Sequence, residues 1–204
     1  MFLLYICNMK ENRLDIYTDA GGKPQSYGFG VFMIKPDESE VRLNFRSNQE
    51  LLGKEFSDKC INNTTIIETY AIYLALKEVK NDNYDKIVIY TDSLQSFHFF
   101  NNIGKHLKDN ELYKKLTNVC KKLMKNMNVE IRWIKAHVGV YGNEMADRLA
   151  KNAQNINRNM PFCNEPFDVN QKIELMDFNF FNSFSLDKFE LNVKNPDAKK
   201  YSHL

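Results

Sequence analysis

The 204-residue chain has few cysteines, and their positions exclude the usual cysteine-based sites. The four cysteines, Cys7, Cys60, Cys120 and Cys163, form no CxxC pair, and none has a histidine at zinc-ligand spacing. We therefore expect neither a structural zinc site nor a disulfide framework. Reduced thiols favour an intracellular protein in a reducing compartment, cytoplasmic or nuclear.

The sequence also lacks a long apolar run and a strong charge of one sign. No run is long enough to span a membrane, and the apolar residues 1–7 are too short for a signal peptide. The net charge is only +2, so bulk charge does not indicate nucleic acid binding. With 43% apolar and 26% charged residues, the chain is not wholly disordered. We expect a globular protein with no membrane partner.

Glycine is missing from the last part of the chain, since all eight glycines lie before residue 143. Residues 155–204 instead carry a phenylalanine cluster that is too aromatic for a solvated linker: Phe178, Phe180, Phe181, Phe184 and Phe189. We predict an N-terminal extension over residues 1–12, a folded domain over residues 13–154 and a Phe-rich C-terminal extension over residues 155–204. The extension is expected to dock on a monomeric domain, with a dimerising or partner-binding segment as the alternative.

Apolar periodicity predicts five strands with helices between the later ones. The predicted strands cover residues 13–18, 28–34, 41–45, 86–91 and 129–135, and the predicted helices cover residues 66–80, 93–102, 109–126 and a segment after Gly142. Short connections among the first three strands favour an antiparallel meander. The order therefore predicts an α/β fold with a mixed sheet, helices packed on it and a C-terminal extension.

The tripeptide Tyr-Thr-Asp occurs twice, each time where a predicted strand ends. The two copies end in Asp19 and Asp92. Because ligands collect at the carboxyl ends of strands in α/β sheets, the two acids indicate a shared anionic site. A simple helix cap is the alternative for each of them, and for Asp92 the two roles are compatible.

Two further acids lie on predicted helices. Glu68 lies on the sheet-facing stripe of its helix, where a carboxylate is costly unless paired or bound to a cation; an acid favoured by the helix dipole is the alternative. Asp147 lies one turn into the last helix, with an exposed pair to Lys151 as its alternative. His137 lies in a glycine-containing loop, where a histidine is otherwise usually only exposed. Four gathered carboxylates require cations, and oxygen ligands favour Mg²⁺ or Mn²⁺.

These residues belong to segments that resemble type 1 ribonucleases H over roughly residues 13–154. The matching segments, in the family's order and spacing, are YTDA (17–20), IETYAIYLAL (67–76), YTDS (90–93) and WIKAHVGVYGNEMADRLA (133–150). The resemblance implies a ribonuclease H-like fold: a five-stranded mixed sheet, three antiparallel then parallel strands, with helices on both faces. It also implies endonucleolytic hydrolysis of the RNA strand of RNA–DNA hybrids by a two-metal-ion mechanism.

The resemblance further implies roles for individual residues. The implied ligands of two Mg²⁺ ions, with Mn²⁺ as a substitute, are Asp19, Glu68, Asp92 and Asp147. Asp19 is expected to bridge both ions, and His137 is expected to assist proton transfer and product release. Candidate substrate contacts lie beside the acids and at the start of the Glu68 helix: Asn63, Thr64, Thr65, Ser93 and Asn143.

The chain departs from the family pattern in two places. In many cellular members an Asn-Asn pair lies two residues closer to the glutamate than Asn62-Asn63 lie to Glu68 here. The identity of the residues that contact 2′-hydroxyls therefore stays open. The basic protrusion of some bacterial members is absent, and lysines instead line the helix predicted over residues 109–126. They are Lys114, Lys115, Lys121, Lys122 and Lys125. These lysines form either a solvated face or a phosphate-binding surface for the DNA strand.

Two other functions remain open at this point. A strand-transfer nuclease of the transposase or integrase kind shares the fold, but His137 and the Gly-Asn-Glu-Met-Ala-Asp segment favour a ribonuclease H. A non-catalytic hybrid-binding module is the second alternative, and the presence of all four acids argues against it. The loop around His137 resembles retroelement-derived members, so both a stand-alone enzyme and an excised polyprotein domain are consistent with the sequence.

Overall fold

The computed structural model describes residues 11–47, 64–103, 111–154 and 174–175, and the structural statements below concern these residues. The elements in chain order are β1 (Arg13–Lys23), β2 (Ser26–Ile34), β3 (Glu40–Ser47), α1 (Thr64–Val79), β4 (Lys86–Thr91), α2 (Leu94–Phe100), α3 (Glu111–Met124), β5 (Val129–Trp133), α4 (Tyr141–Gln154) and β6 (Glu174–Leu175). None of the helices in these ranges has the length and apolarity needed to cross a bilayer.

The strand β1 occupies the middle of the sheet and takes part in two kinds of pairing. The strand order is β5-β4-β1-β2-β3-β6. β1, β2 and β3 form the antiparallel meander, whereas β4 pairs in parallel with both β1 and β5. The predicted five-stranded mixed sheet is therefore confirmed, and the two residues of β6 add a parallel edge strand beside β3.

Alternating side chains along the strands build an apolar core on each face of the sheet. Ile16 of β1 and Val31 of β2 belong to the larger core, which includes side chains of α1 and α3. Tyr17 and Phe32, the next residue in each strand, pack with Met145 and other side chains of α4 in the smaller core. Helices thus cover both faces, as the resemblance implied.

The helix α1 is buried on nearly all sides, rather than along the single stripe that the sequence predicted. Twelve of its 16 residues are buried, because the helix contacts the sheet and is also covered by α3. A helix that is apolar on all sides can be stable only in such a position. Glu68, in the second turn of α1, is therefore carried into the protein interior.

The contact between β2 and α4 depends on two glycines. A side-chain carbon placed on Gly30 would collide with the carbonyl oxygen of Ala146, and one on Gly28 would collide with α4 in the same way. The predicted close approach of backbones at this strand is confirmed. Gly30 is the register partner of Asp19, so the same contact brings Asp147, the residue after Ala146, next to that aspartate.

The strand β1 extends beyond the boundary that the sequence predicted. It does not stop at Asp19 but continues to Lys23, because β2 pairs with it over that whole length. Its parallel pairing with β4 ends at Thr18 and Thr91, one residue before the aspartate. Asp19 is therefore a mid-strand residue that lies where the neighbouring strand ends.

The helix α4 also begins earlier than predicted. Its first residue is Tyr141, so Gly142 lies inside the first turn instead of before it. A side-chain carbon on Gly142 would collide with the ring of Tyr17. The glycine thus allows the start of α4 to rest directly on an aromatic ring of β1.

Replacement of Gly30 by alanine should lower the free energy of unfolding by roughly 1–3 kcal/mol, because β2 and α4 must separate to admit the methyl group. The matched control is Gly21→Ala on β1. There the added carbon would meet only the end of the flexible Gln154 side chain. Urea unfolding of both variants measures the difference, and equal stability of the two would contradict the proposed role of the glycine contact.

Candidate active site

The two Tyr-Thr-Asp segments lie side by side in the sheet. Tyr17 is the register partner of Tyr90, and their rings stack with centroids 4.6 Å apart. The threonines that follow are also partners. This parallel register brings Asp19 and Asp92 to the same edge of the sheet, just beyond the last pair.

Three carboxylates form the first cluster of the site. Asp19 comes from β1, Asp92 follows β4, and Glu68 reaches them from α1; one oxygen of each lies within 4.8 Å of the others. The Glu68 Oε2 atom is buried and has no hydrogen-bond partner among the described atoms. Since a buried carboxylate oxygen without a donor is costly, the cluster fits a cation.

Asp147 joins this cluster to a second one. Its carboxyl group lies close enough to that of Asp19 to help raise the pKa of Asp19. Its Oδ2 atom also accepts a 2.6 Å hydrogen bond from Lys151 Nζ. The second cluster consists of His137, Glu144 and Asp147, whose potential ligand atoms lie within 4.8 Å of one another. The exposed pair with Lys151 is therefore present, and the same carboxylate still lies at the site.

Burial and repulsion between carboxylates raise the pKa values of Asp19 and Glu68. Burial, followed by the charges of Asp92 and Asp147, raises the pKa of Asp19 to about 8. Burial beside Asp19 and Asp92 raises the pKa of Glu68 well above its ordinary value. A hydrogen bond from the Ala20 backbone opposes both shifts without cancelling them. The metal-free site therefore retains protons that a bound cation would displace.

The cap of α2 is Ser93, so the alternative that Asp92 caps this helix is wrong. The Ser93 Oγ atom accepts a hydrogen bond from the Ser96 amide at 3.3 Å. The Asp92 carboxylate instead accepts a hydrogen bond from Asn143 Nδ2 at 3.4 Å. Asn143 is only 1% exposed, and its Oδ1 has no partner among the described atoms. Asn143 thus connects the start of α4 to the first carboxylate cluster.

The histidine predicted for the site lies in the loop between β5 and α4. His137 is exposed and has a φ of +52°, a left-handed conformation that is uncommon for a residue with a side chain. Gly139 follows with a φ of +82°. The loop conformation places the imidazole beside Glu144 and Asp147.

The predicted substrate contacts at the start of α1 occupy different environments. Thr64 is exposed at the first position of the helix. Thr65 is buried, and its hydroxyl donates a hydrogen bond to the side-chain oxygen of Gln95 on α2. Asn63 lies outside the described residues.

Four of the predicted lysines lie on the side of α3 that faces away from its buried residues, and the fifth, Lys125, lies just after the helix, which ends at Met124 and not at residue 126 as predicted. Lys122 and Lys125 are exposed, while Lys114 and Lys115 are half-buried. The Nζ atom of Lys121 lies 4.8 Å from the centroid of the Phe99 ring and donates a hydrogen bond to the side chain of Asn102. Lys121 is therefore partly committed to contacts within the protein.

Two residues at the site have no role predicted from the sequence. Glu144 belongs to the second cluster, and its spacing of three residues from Asp147 on one helix is the signal that could have identified it. Trp133 donates a hydrogen bond from its indole nitrogen to the Asp92 carbonyl oxygen at 3.1 Å. No local pattern signals this contact, because it depends on the pairing of β5 with β4.

Comparisons with known proteins agree on one family. Residues 11–155 match the family model of RNase H. The chain is 26% identical to a ribonuclease H from Pseudoalteromonas translucida over 155 residues, which cover 70% of this chain and 90% of that protein.

Two solved structures show the same fold at lower sequence identity. RNase H1 from Halobacterium salinarum is 18% identical with a TM-score of 0.52, and the match covers 69% of this chain and 96% of that one. An N-terminal RNase H domain from Mycobacterium tuberculosis is 17% identical with a TM-score of 0.52, covering 72% of this chain and 96% of that one.

The raised pKa of Asp19 predicts that the metal-free protein loses stability as the pH rises. The folded state binds more protons than the unfolded state between the ordinary pKa of an aspartate and the raised pKa of about 8. We expect the free energy of unfolding to fall by about 4 kcal/mol between about pH 5 and about pH 8, at about 1.4 kcal/mol for each pH unit. Urea unfolding in the presence of a chelator measures this dependence.

Asp19→Asn should flatten the pH dependence, because it removes one titrating group and one repelling charge. Asp15→Asn is the matched control, since Asp15 lies on the same strand but pairs with Arg13 outside both clusters. An unchanged slope in Asp19→Asn would show that the clustered carboxylates do not cause the effect.

Proposed function

We infer that this chain, which belongs to the ribonuclease H family, is an endoribonuclease that hydrolyses the RNA strand of RNA–DNA hybrids. The observation that carries the proposal is the gathering of four carboxylates from two strands and two helices at one edge of the sheet. Bound cations would neutralise such a concentration of negative charge, and the family depends on divalent metal ions.

We propose that Asp19, Glu68, Asp92 and Asp147 hold two Mg²⁺ ions, with Mn²⁺ as a substitute. All their ligand atoms are carboxylate oxygens, which these hard cations prefer. The unpartnered oxygen of Glu68 supports the assignment, because a cation would satisfy it. When bound, the pair of ions polarises the phosphodiester and activates water for in-line attack.

Asp19 is the residue best placed to serve both ions. Its carboxylate belongs to the first cluster with Glu68 and Asp92, and its pKa also responds to the charge of Asp147. The other three acids thus surround it. A proton held by this carboxyl group in the metal-free protein must leave before the oxygens can bind metal.

His137 is proposed to move protons during hydrolysis and to assist product release. It is exposed, so a substrate or product group can reach its ring. The neighbouring carboxylates of Glu144 and Asp147 lie close enough to orient the imidazole. The proposal for His137 therefore rests on its position at the open side of the metal ligands.

The hybrid is proposed to lie across the start of α1 and α2, where its minor groove exposes 2′-hydroxyls. Thr64 is exposed there, and the Thr65–Gln95 hydrogen bond places an amide group at the same surface. Asn63, Ser93 and Asn143 complete the set of proposed substrate contacts. Of these, Asn143 is the one that contacts a metal ligand, Asp92.

We propose that residues 13–154 form the catalytic domain of a monomer, with residues 1–12 and 155–204 as extensions. The pairing of Glu174 and Leu175 with β3 supports docking of the C-terminal extension on the edge of the sheet. The predicted contacts of the phenylalanine cluster lie outside the described residues.

Cleavage of a labelled RNA–DNA hybrid in Mg²⁺ tests the proposed function. The wild-type chain should cut only the RNA strand of the hybrid, and Asp19→Asn should lower the rate by at least about 100-fold, because a shared metal ligand is removed. Asp15→Asn should retain wild-type activity, since its surface ion pair with Arg13 contributes little.

Duplex DNA and duplex RNA serve as competing substrates in the same assay. Cleavage of duplex DNA without cleavage of the hybrid would indicate a strand-transfer nuclease instead. Hybrid binding without any cleavage by the wild type would indicate a non-catalytic module. Full activity of Asp19→Asn would falsify the metal assignment.

The lysines on α3, together with Lys125 just after it, are proposed to bind phosphates of the DNA strand. Replacing Lys114, Lys115, Lys122 and Lys125 by glutamine should weaken hybrid binding. The slope of log K against log salt concentration should also become shallower, by about 0.9 for each phosphate that a lysine no longer neutralises. The control is Lys86→Gln, because Lys86 already pairs with Glu130 at 2.8 Å. Binding titrations at several salt concentrations measure the slope, and equal slopes for both variants would contradict the proposal.

A further inference from the structure

The chain contains a single tryptophan, and this residue lies next to the carboxylate cluster. Trp133 is the last residue of β5, and its side chain is 42% exposed. Exposed apolar side chains are common, so exposure alone indicates no role. Trp133 is distinctive because it is also held in place by a hydrogen bond to the backbone of a proposed metal ligand.

The fold fixes the position of Trp133 through two adjacent hydrogen bonds. β5 pairs with β4 so that Trp133 lies opposite Thr91, and the amide of Ile134 donates to the Thr91 carbonyl at 3.0 Å. The Trp133 indole N–H then donates to the carbonyl of Asp92 at 3.1 Å. The polar group of the ring is thus used within the protein, and the exposed part of the residue is left to face solvent.

An exposed aromatic ring held in this way suits contact with a nucleotide. Because the indole orientation is already fixed, binding a flat base or a sugar against it costs little additional ordering. The ring carries no charge, so it attracts bases and sugars without competing with the carboxylates for cations. Aromatic platforms of this kind bind bases with little sequence preference, as a nuclease without a defined target sequence requires.

Lys135, two residues after Trp133, is exposed, so a cation lies close to Trp133 in the chain. Such a cation suits contact with the phosphate of a nucleotide that stacks on the ring.

We propose that Trp133 is a substrate-contacting residue whose exposed face stacks on a nucleotide of the hybrid beside the scissile phosphate. The inference rests on the proposed function, because that function places the scissile phosphodiester at Asp92, whose carbonyl accepts the Trp133 hydrogen bond. The indole hydrogen bond gives the residue a second, positioning role, since it restrains the backbone of Asp92.

The single tryptophan allows a direct test that does not depend on catalysis. Full-length Asp19→Asn protein is titrated with an RNA–DNA hybrid carrying a remote fluorophore, and binding is followed by anisotropy. If the ring stacks on a nucleotide, the indole emission should fall over the same hybrid concentrations at which the anisotropy rises. The Asp19→Asn, Trp133→Phe double variant is the blank, because it contains no tryptophan and gives no indole emission. Emission that stays unchanged while anisotropy shows saturation overturns the proposal.

Steady-state cleavage by the otherwise wild-type chain separates stacking from structural support. Trp133→Ala should raise KM about 10-fold, because alanine offers no ring on which a nucleotide can stack. Trp133→Phe should keep KM within about threefold of wild type, because a ring remains, but lower kcat, because Asp92 loses its restraint. Ile103→Ala is the control, since Ile103 is similarly exposed at 48% but lies beyond the far end of α2.

Unfolding midpoints of the three variants show whether each one is folded. A folded Trp133→Ala protein with wild-type KM overturns the proposal. If Trp133→Ala does not fold, the fluorescence titration still decides it. A wild-type chain that binds hybrid with quenching but does not cleave it would contradict the proposed function and leave the stacking inference standing.

Discussion

The parallel pairing of β1 with β4 places Tyr17 against Tyr90, and every other part of the site is arranged around that register. A slip of one residue would turn one aspartate to the opposite face of the sheet, because side chains alternate along a strand. The stacked rings and the hydrogen bond from the Thr18 hydroxyl to the Tyr90 carbonyl oppose such a slip. The observed register therefore brings the Asp19 and Asp92 carboxylates into one cluster.

The rest of the site is added by two helices that are held by unusual packing. The helix α1 brings Glu68 into the interior because nearly all of its other residues are buried. The helix α4 brings Asp147 to Asp19 because Gly30 lets two backbones approach. The resulting repulsion destabilises the metal-free fold, as the raised pKa of Asp19 indicates. Local conflicts of this kind are expected at functional sites, where surrounding packing offsets them.

Much of the fold could be predicted from the sequence, since apolar periodicity located the five main strands and the helices between them. The differences have physical reasons. The end of β1 could not be read from its own residues, because Asp19 stays in the strand through pairing with β2. Ser93 rather than Asp92 caps α2, because the Asp92 carboxylate lies in the first carboxylate cluster. The burial of α1 on all sides depends on α3, which is distant in the sequence.

The sequence by itself determined to which family the chain belongs and which four acids we expect at the site, because short motifs in a fixed order carry that information. Only the tertiary structure decided how those acids interact. Asp147 binds Lys151 and still reaches Asp19, and Glu68 keeps one oxygen without a partner among the described atoms. Trp133 lies beside Asp92 because β5 pairs with β4. Such contacts depend on strand register and on distances between elements, which local sequence patterns do not specify.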